Sequence, residues 1–258
     1  MTVLSEIVAG VREDLEQRKC MRPSRVVEAA AVERTPARDF AAALQGNGVS
    51  LIAEVKKSSP SRGVIRADVD PVEVARMYAR SGADAISVLT EGRRFGGSLE
   101  HLAAVVEALG PCGPPVLRKD FIVDPYQVYE ARALGADCVL LIVALLGRAQ
   151  LAQLFEVSNM LGMRCLVEVH DEAELDRALD SDALMIGINN RNLRTLDVDL
   201  RTFERLRPRV PVGRLVVSES GIHRPEDIER LARCGVDAVL AGEALMSAAD
   251  IGTKVREL

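Results

Sequence analysis

The 258-residue chain has no tryptophan, only three tyrosines and only five phenylalanines. So few flat rings leave little to stack bases on, and a net charge of −5 gives no basic footprint, so no nucleic-acid partner is expected. The three histidines, His101, His170 and His223, are scattered, and the five cysteines, Cys20, Cys112, Cys138, Cys165 and Cys234, are odd in number with no C-x-x-C pair. Neither a disulfide framework nor a metal site is expected, and the cysteines read as reduced thiols. No apolar run approaches the ~18 residues that span a bilayer. From Met1 to Arg25 the chain interleaves Glu6, Arg12, Glu13, Asp14, Glu16, Arg18 and Lys19 with its apolar positions, unlike a secretory signal. A cytoplasmic location and no membrane partner are therefore expected. Lysine is scarce too, five residues against 28 arginines.

What is present is a chain 48% hydrophobic and 28% charged, enough to bury a sizeable core. From about residue 50 one pattern repeats: a short run of Val, Ile and Leu, a turn, and an amphipathic helical stretch. The runs fall at 51–55, 85–89, 115–117, 138–142, 164–169, 184–188, 215–218 and 238–241. Nearly all are apolar at consecutive positions, as parallel strands buried on both faces require. Helical spacing occupies 70–80, 97–109, 124–134, 147–161, 171–179, 199–206 and 224–233, several opening on Asp with Pro or Glu in the first turn. Three helix exits, Gly82-Ala83-Asp84, Gly135-Ala136-Asp137 and Gly235-Val236-Asp237, place Gly where a left-handed cap would end the helix. Eight such units in this length predict an α/β protein with a single (β/α)8 barrel of the TIM type, and no linker divides the chain. Residues 1–48 form an N-terminal helical extension, with helical patterns at 4–18 and 39–44, placed across one mouth of the barrel.

In such barrels chemistry sits where polar residues interrupt the C-terminal strand ends. Here these are Glu54, Lys56, Thr90, Glu91, Lys119, Asp120, Glu168, Asn189, Arg191, Glu219 and Ser220. A single charge at a strand end is as often plain solvation or a barrel-mouth salt bridge, but several converging are harder to dismiss. In a chain that uses arginine by default, three of the five lysines sit at the first and third strand ends. An adjustable amine suits proton transfer where guanidinium fails, which favours Lys56 and Lys119 as chemical groups. Lys57 falls on the opposite side of its strand by alternation and reads as a solvated charge. His170 reads as a surface or supporting group rather than a base. The turns Ser220-Gly221 and Gly242-Glu243 follow the seventh and eighth strands, where barrels often hold a phosphate on backbone N–H groups, so a small phosphorylated substrate is expected.

Seven blocks carry a resemblance: LIAEVKKSSPS at 51–61, SVLTE at 87–91, FGGS at 95–98, RKDFI at 118–122, VEVH at 167–170, GINNRNL at 187–193 and SESGI at 218–222. Together they resemble the indole-3-glycerol phosphate synthase family along essentially the whole chain. The resemblance implies ring closure of 1-(2-carboxyphenylamino)-1-deoxyribulose 5-phosphate, with loss of carbon dioxide and water, and no cofactor or metal. It implies Glu54, Lys56, Lys119, Glu168, Asn189 and Ser220 as catalytic residues, with Lys119 or Lys56 as the cationic acid and Glu54 or Glu168 as base. Ser59, Phe95, Phe121, Arg191, Gly221, Gly242 and Glu243 would bind substrate. Glu243 departs from the family pattern, standing where a small hydroxyl residue is frequent, and is expected to turn away from the phosphate. A monomer is the working expectation for assembly. A Schiff-base aldolase shares the lysine and the phosphate site. Phosphoribosylanthranilate isomerase, another such barrel, would need a cysteine near the first strand end, where Glu54 and Lys56 stand.

Overall fold

The computed structural model describes residues 3–60, 62–66 and 68–258; Met1 and Thr2 of the expected extension, and Ser61 at the end of the first matching block, lie outside the described residues. The extension is three helices, α1 (Val3–Met21), α2 (Ser24–Val32) and α3 (Phe40–Ala43). The second went unpredicted because it buries only Val27 and Ala31, too narrow a stripe to stand out in nine residues.

The barrel opens with β1 (Ser50–Val55), followed by a small antiparallel hairpin of β2 (Ser58–Ser59) and β3 (Gly63–Val64). Helix and strand then alternate: α4 (Pro71–Arg80), β4 (Ala85–Leu89), α5 (Leu99–Leu109), β5 (Val116–Lys119), α6 (Pro125–Ala133), β6 (Cys138–Ile142), α7 (Arg148–Met160), β7 (Arg164–Val169) and α8 (Glu172–Leu179). The chain continues through β8 (Met185–Asn189), α9 (Arg201–Leu206), β9 (Leu215–Glu219), α10 (Pro225–Ala232), β10 (Ala238–Ala241), α11 (Glu243–Ser247) and α12 (Ile251–Glu257). Eight strands close in the order β1, β10, β9, β8, β7, β6, β5, β4, each pair parallel. Three strands run further than their apolar runs, taking in Lys119, Asn189 and Glu219 as ordered polar ends.

The local chemistry explains the alternation. Asp70, Ser98, Asp124 and Asp171 each accept a first-turn backbone N–H as N-caps, satisfying donors the helix cannot. In the Gly-x-Asp exits the glycines adopt φ of 104°, 93° and 80°, and the aspartates latch a neighbouring strand. Asp84 accepts the N–H of Leu51, Asp137 that of Val116 and Asp237 that of Val216. One triplet thus ends a helix and registers two strands.

Strand alternation sorts the core into two layers. Leu51, Ala53, Val55, Val139, Leu141, Val167, Ile186 and Val239 pack outward against the helices. Ile52, Leu117, Leu140, Leu166, Met185, Val217 and Leu240 fill the barrel interior. The extension reaches both ends of that interior. Fully buried Phe40 of α3 and Leu44 just after it join it beside the strand starts, where Arg38 pairs with Asp137 and Asp39 with Arg164. Ile7 of α1 joins it at the opposite mouth. Helix α2 packs on α6. No helix among the described residues is long and apolar enough to cross a membrane.

Candidate active site

Every residue expected at the site lines one cavity at the C-terminal mouth, which leaves about 1110 Å³ of empty space, open solvent at its entrance included. Convergence follows from register. Glu54, Lys119, Glu168, Asn189 and Glu219 share the inward parity of the barrel interior, and neighbouring strands bring such ends level, as Asn189 lies opposite Glu219. Val3, Leu4 and Ile7 of α1 complete the wall.

Two lysines and three buried glutamates form the polar floor. Lys56 Nζ stands 2.6 Å from Glu54 Oε1. Lys119 Nζ lies 3.5 Å from Glu168 Oε2 and 3.5 Å from Glu219 Oε2, placed between them. Burial disfavours each charge, so the partners decide the outcome. At Lys119 burial opposes the cation, but Glu168, Glu219 and Glu54 outweigh it and hold the amine protonated. At Glu54 burial pushes the pKa up, yet Lys56 and then Lys119 bring it below the ordinary value. At Glu168 the upward push of burial is overcome by Lys119 and His170, with Asn189 adding a hydrogen bond, and the carboxylate stays ionised. Glu219 goes the other way: burial and the charge of Glu168 exceed the pull of Lys119, so it keeps its proton to higher pH. One cation between two carboxylates thus leaves one of them ionised and the other holding its proton to higher pH.

His170 supports this arrangement from behind. Its Nδ1 is 2.9 Å from Glu174 Oε2, and its Nε2 is 3.2 Å from Glu168 Oε1, an ion-pair contact whose alignment falls short of a hydrogen bond. Burial lowers its pKa, but the two carboxylates carry it up to about 10.

Glycines make the room. A Cβ at Gly187 would stand 2.3 Å from Glu219 Oε1, and one at Gly242 would stand 2.5 Å from Glu54 Oε1, so both carboxylates lie where only hydrogen fits. Above the floor the rings of Phe95 and Phe121 meet at 5.9 Å between centroids, tilted by 42°. Beyond β9 the chain turns through Ser220 and Gly221 with φ of 65° and 85°, and Asn190 Nδ2 ties the carbonyls of Glu219 and Ser220. The Glu243 carboxylate faces Arg62 at 2.7 Å and Arg191 at 3.8 Å.

The indole-3-glycerol phosphate synthase family model matches residues 4–258. An indole-3-glycerol phosphate synthase of Dehalococcoides mccartyi is 52% identical over 257 residues, 99% of each chain. Indole-3-glycerol phosphate synthase 1 of Streptomyces coelicolor is 50% identical over 258 residues, the whole of this chain and 95% of the other. The chain belongs to the indole-3-glycerol phosphate synthase family. Solved structures widen the likeness in fold alone. A 3-hexulose-6-phosphate synthase from Salmonella typhimurium superposes with a TM-score of 0.65 at 17% identity, over 81% of this chain and 96% of the other.

In this family member Glu219, a polar strand end outside the expected site residues, shares the inward parity of the other carboxylates and lines the cavity with them. Its partner, Lys119, is four strands away around the barrel in chain order, and only closure brings them together. Asp120 and Thr90 bond to each other and to buried Arg118, which also reaches Glu130. The Asp120 carboxylate thus anchors β5 rather than serving the floor.

Proposed function

We propose that this mouth closes the indole ring, converting 1-(2-carboxyphenylamino)-1-deoxyribulose 5-phosphate to indole-3-glycerol phosphate, carbon dioxide and water. The observation that carries the reading is Lys119 set 3.5 Å from both Glu168 and Glu219, two buried carboxyl groups whose pKa values move apart, Glu168 down and Glu219 up. The ring carbon bearing the carboxylate attacks the ketone carbon, and Lys119 donates to the oxygen as its charge develops. The carbon–carboxylate bond then breaks, carbon dioxide leaves, and its electron pair restores the aromatic ring. In the last step the hydroxyl takes a proton from Glu219 and departs as water. Glu168 accepts a proton from the new five-membered ring, whose C–H electrons form the double bond.

Lys56, paired with Glu54 and near Ser59, supplies the cation for the substrate carboxylate, and Asn189 orients Glu168. Phe95 and Phe121 receive the aromatic ring. The turns at Ser220-Gly221 and Gly242, with Arg191, hold the phosphate. The reading extends to a monomer as acting unit and to the cytoplasm, whose reducing conditions suit the free cysteines.

The test is to incubate purified protein with the ribulose phosphate and follow indole fluorescence. Product formation at enzymatic rates supports the reading, and no product from folded protein overturns it. Borohydride in the same mixture should leave no covalent adduct, whereas trapping at Lys119 or Lys56 would mark a Schiff-base enzyme.

A further inference from the structure

Glu91 follows β4 and has no part in the chemistry above, yet it is only 4% exposed. Its carboxylate is wrapped by its own loop. Oε1 accepts the N–H of Arg93 at 3.0 Å, and Oε2 accepts those of Arg94 and Phe95 at 2.8 and 3.0 Å. Hydrogen bonds to an ionised acceptor are stronger than neutral ones, and three successive donors on one carboxylate leave this loop little freedom. The backbone is shaped to match. The Glu91 carbonyl accepts the N–H of Gly97, Gly96 sits at φ 63°, and a Cβ on Gly97 would lie 2.3 Å from the Leu89 carbonyl oxygen.

The last donor in that wrap belongs to Phe95, whose ring stands against Phe121 in the cavity wall. The outside of the loop is held by weaker ties. Arg93 pairs with Glu13 and Asp14, and Arg94 with Glu6, all on α1 and exposed, where an ion pair contributes little. The loop also touches the segment after β1, where Ser58 donates from its N–H to Phe95 O and from Oγ to Arg94 O. Glu91 is the buried hub of these contacts.

We propose that Glu91 is a positioning residue: by gathering the backbone N–H groups of residues 93–95 it fixes Phe95 as the wall that receives the substrate's aromatic ring. The proposal rests on the reading of Phe95 given under the proposed function. A double-mutant cycle tests it, with Glu91→Gln, Phe95→Ala and the pair compared for KM, kcat and thermal midpoint. Glutamine keeps the shape but turns an amide N–H₂ toward backbone donors. Glu91→Gln should lower kcat/KM on the order of tenfold, chiefly through KM, as a displaced binding group does. Added to Phe95→Ala, it should cost almost nothing more, because the wall it positions is already gone. Full additivity, with Phe95→Ala itself harmful, overturns the proposal and leaves the role of Phe95 intact. A Phe95→Ala variant with unchanged KM overturns the ring-wall reading, and the proposal with it. Should Glu91→Gln fail to fold, Glu91→Asp keeps the charge and shortens the reach, and the same cycle decides.

Discussion

At the scale of single residues, the site is built from charges that would not stay buried alone. Lys119→Ala removes the only cation in ion-pair contact with both Glu168 and Glu219 among the described residues, and should lower kcat/KM by ~10²-fold or more. Lys119→Arg should be nearly as damaging, since guanidinium differs in reach and does not give up its proton. Steady-state kinetics on folded variants decide it, and near-normal turnover in either would remove Lys119 from proton transfer. Glu219 makes a prediction about pH. Its folded pKa is raised from 4.5 to about 8, by burial first and then by Glu168. Between those values the folded protein holds a proton the unfolded chain has released, so this group's contribution is greatest below the lower value and is lost as pH rises through the window. Glu219→Gln copies the neutral acid. It should match the parent's thermal midpoint near pH 5, exceed it by a few degrees at pH 8, and turn over more slowly. A variant less stable at pH 8 than the parent would show Glu219 to be an ionised structural partner. The residue types were legible in the sequence because each interrupts an apolar run. Which carboxylate keeps its proton was not, since that depends on through-space distances between strands remote in the chain.

At the scale of elements, consecutive apolar runs announced all eight barrel strands, and capping aspartates with glycine exits announced most helices. What escaped notice, namely α2, the β2–β3 hairpin, α11 and α12, is short or offers too narrow an apolar stripe for periodicity to register. The glycines inside strands carry information that no period reveals. Gly187→Ala puts a methyl where the Glu219 carboxylate lies, 2.3 Å away, while the strand backbone itself can accept alanine. The variant should fold, with a thermal midpoint within a few degrees of the parent, and lose on the order of tenfold or more in kcat, because a small misplacement of a reacting group is costly. Helix α3 tests the reverse separation. Phe40 is fully buried at the mouth away from the site, so Phe40→Ala should cost ~3–5 kcal/mol of stability. Below its lowered melting range that variant should keep near-parental KM. A raised KM would mean the two ends of the barrel are mechanically coupled.

At the scale of the whole molecule, the barrel has one end filled by α3 and another open beneath α1, and the net charge of −5 works against an anionic substrate approaching the open end. Attraction must therefore be local. On the proposed reading Arg62 and Arg191 supply it near the Ser220-Gly221 and Gly242 turns, and both face the Glu243 carboxylate. That carboxylate stands in for an anion and competes with one. Inorganic phosphate should act as a competitive inhibitor and raise the thermal midpoint, since a ligand bound only by the folded state at ~100 times its Kd adds ~2.7 kcal/mol. Sodium chloride at matched ionic strength is the control, because screening alone also moves exposed pairs. Glu243→Ser withdraws the competing charge and takes the carboxylate partner from both guanidinium groups, so phosphate should bind several-fold tighter and the midpoint shift should grow. If the serine variant instead bound phosphate more weakly, Glu243 would be orienting the arginines for the anion rather than occupying its place. If neither protein responded to phosphate beyond the chloride control, the turns after β9 and β10 would not be the phosphate site.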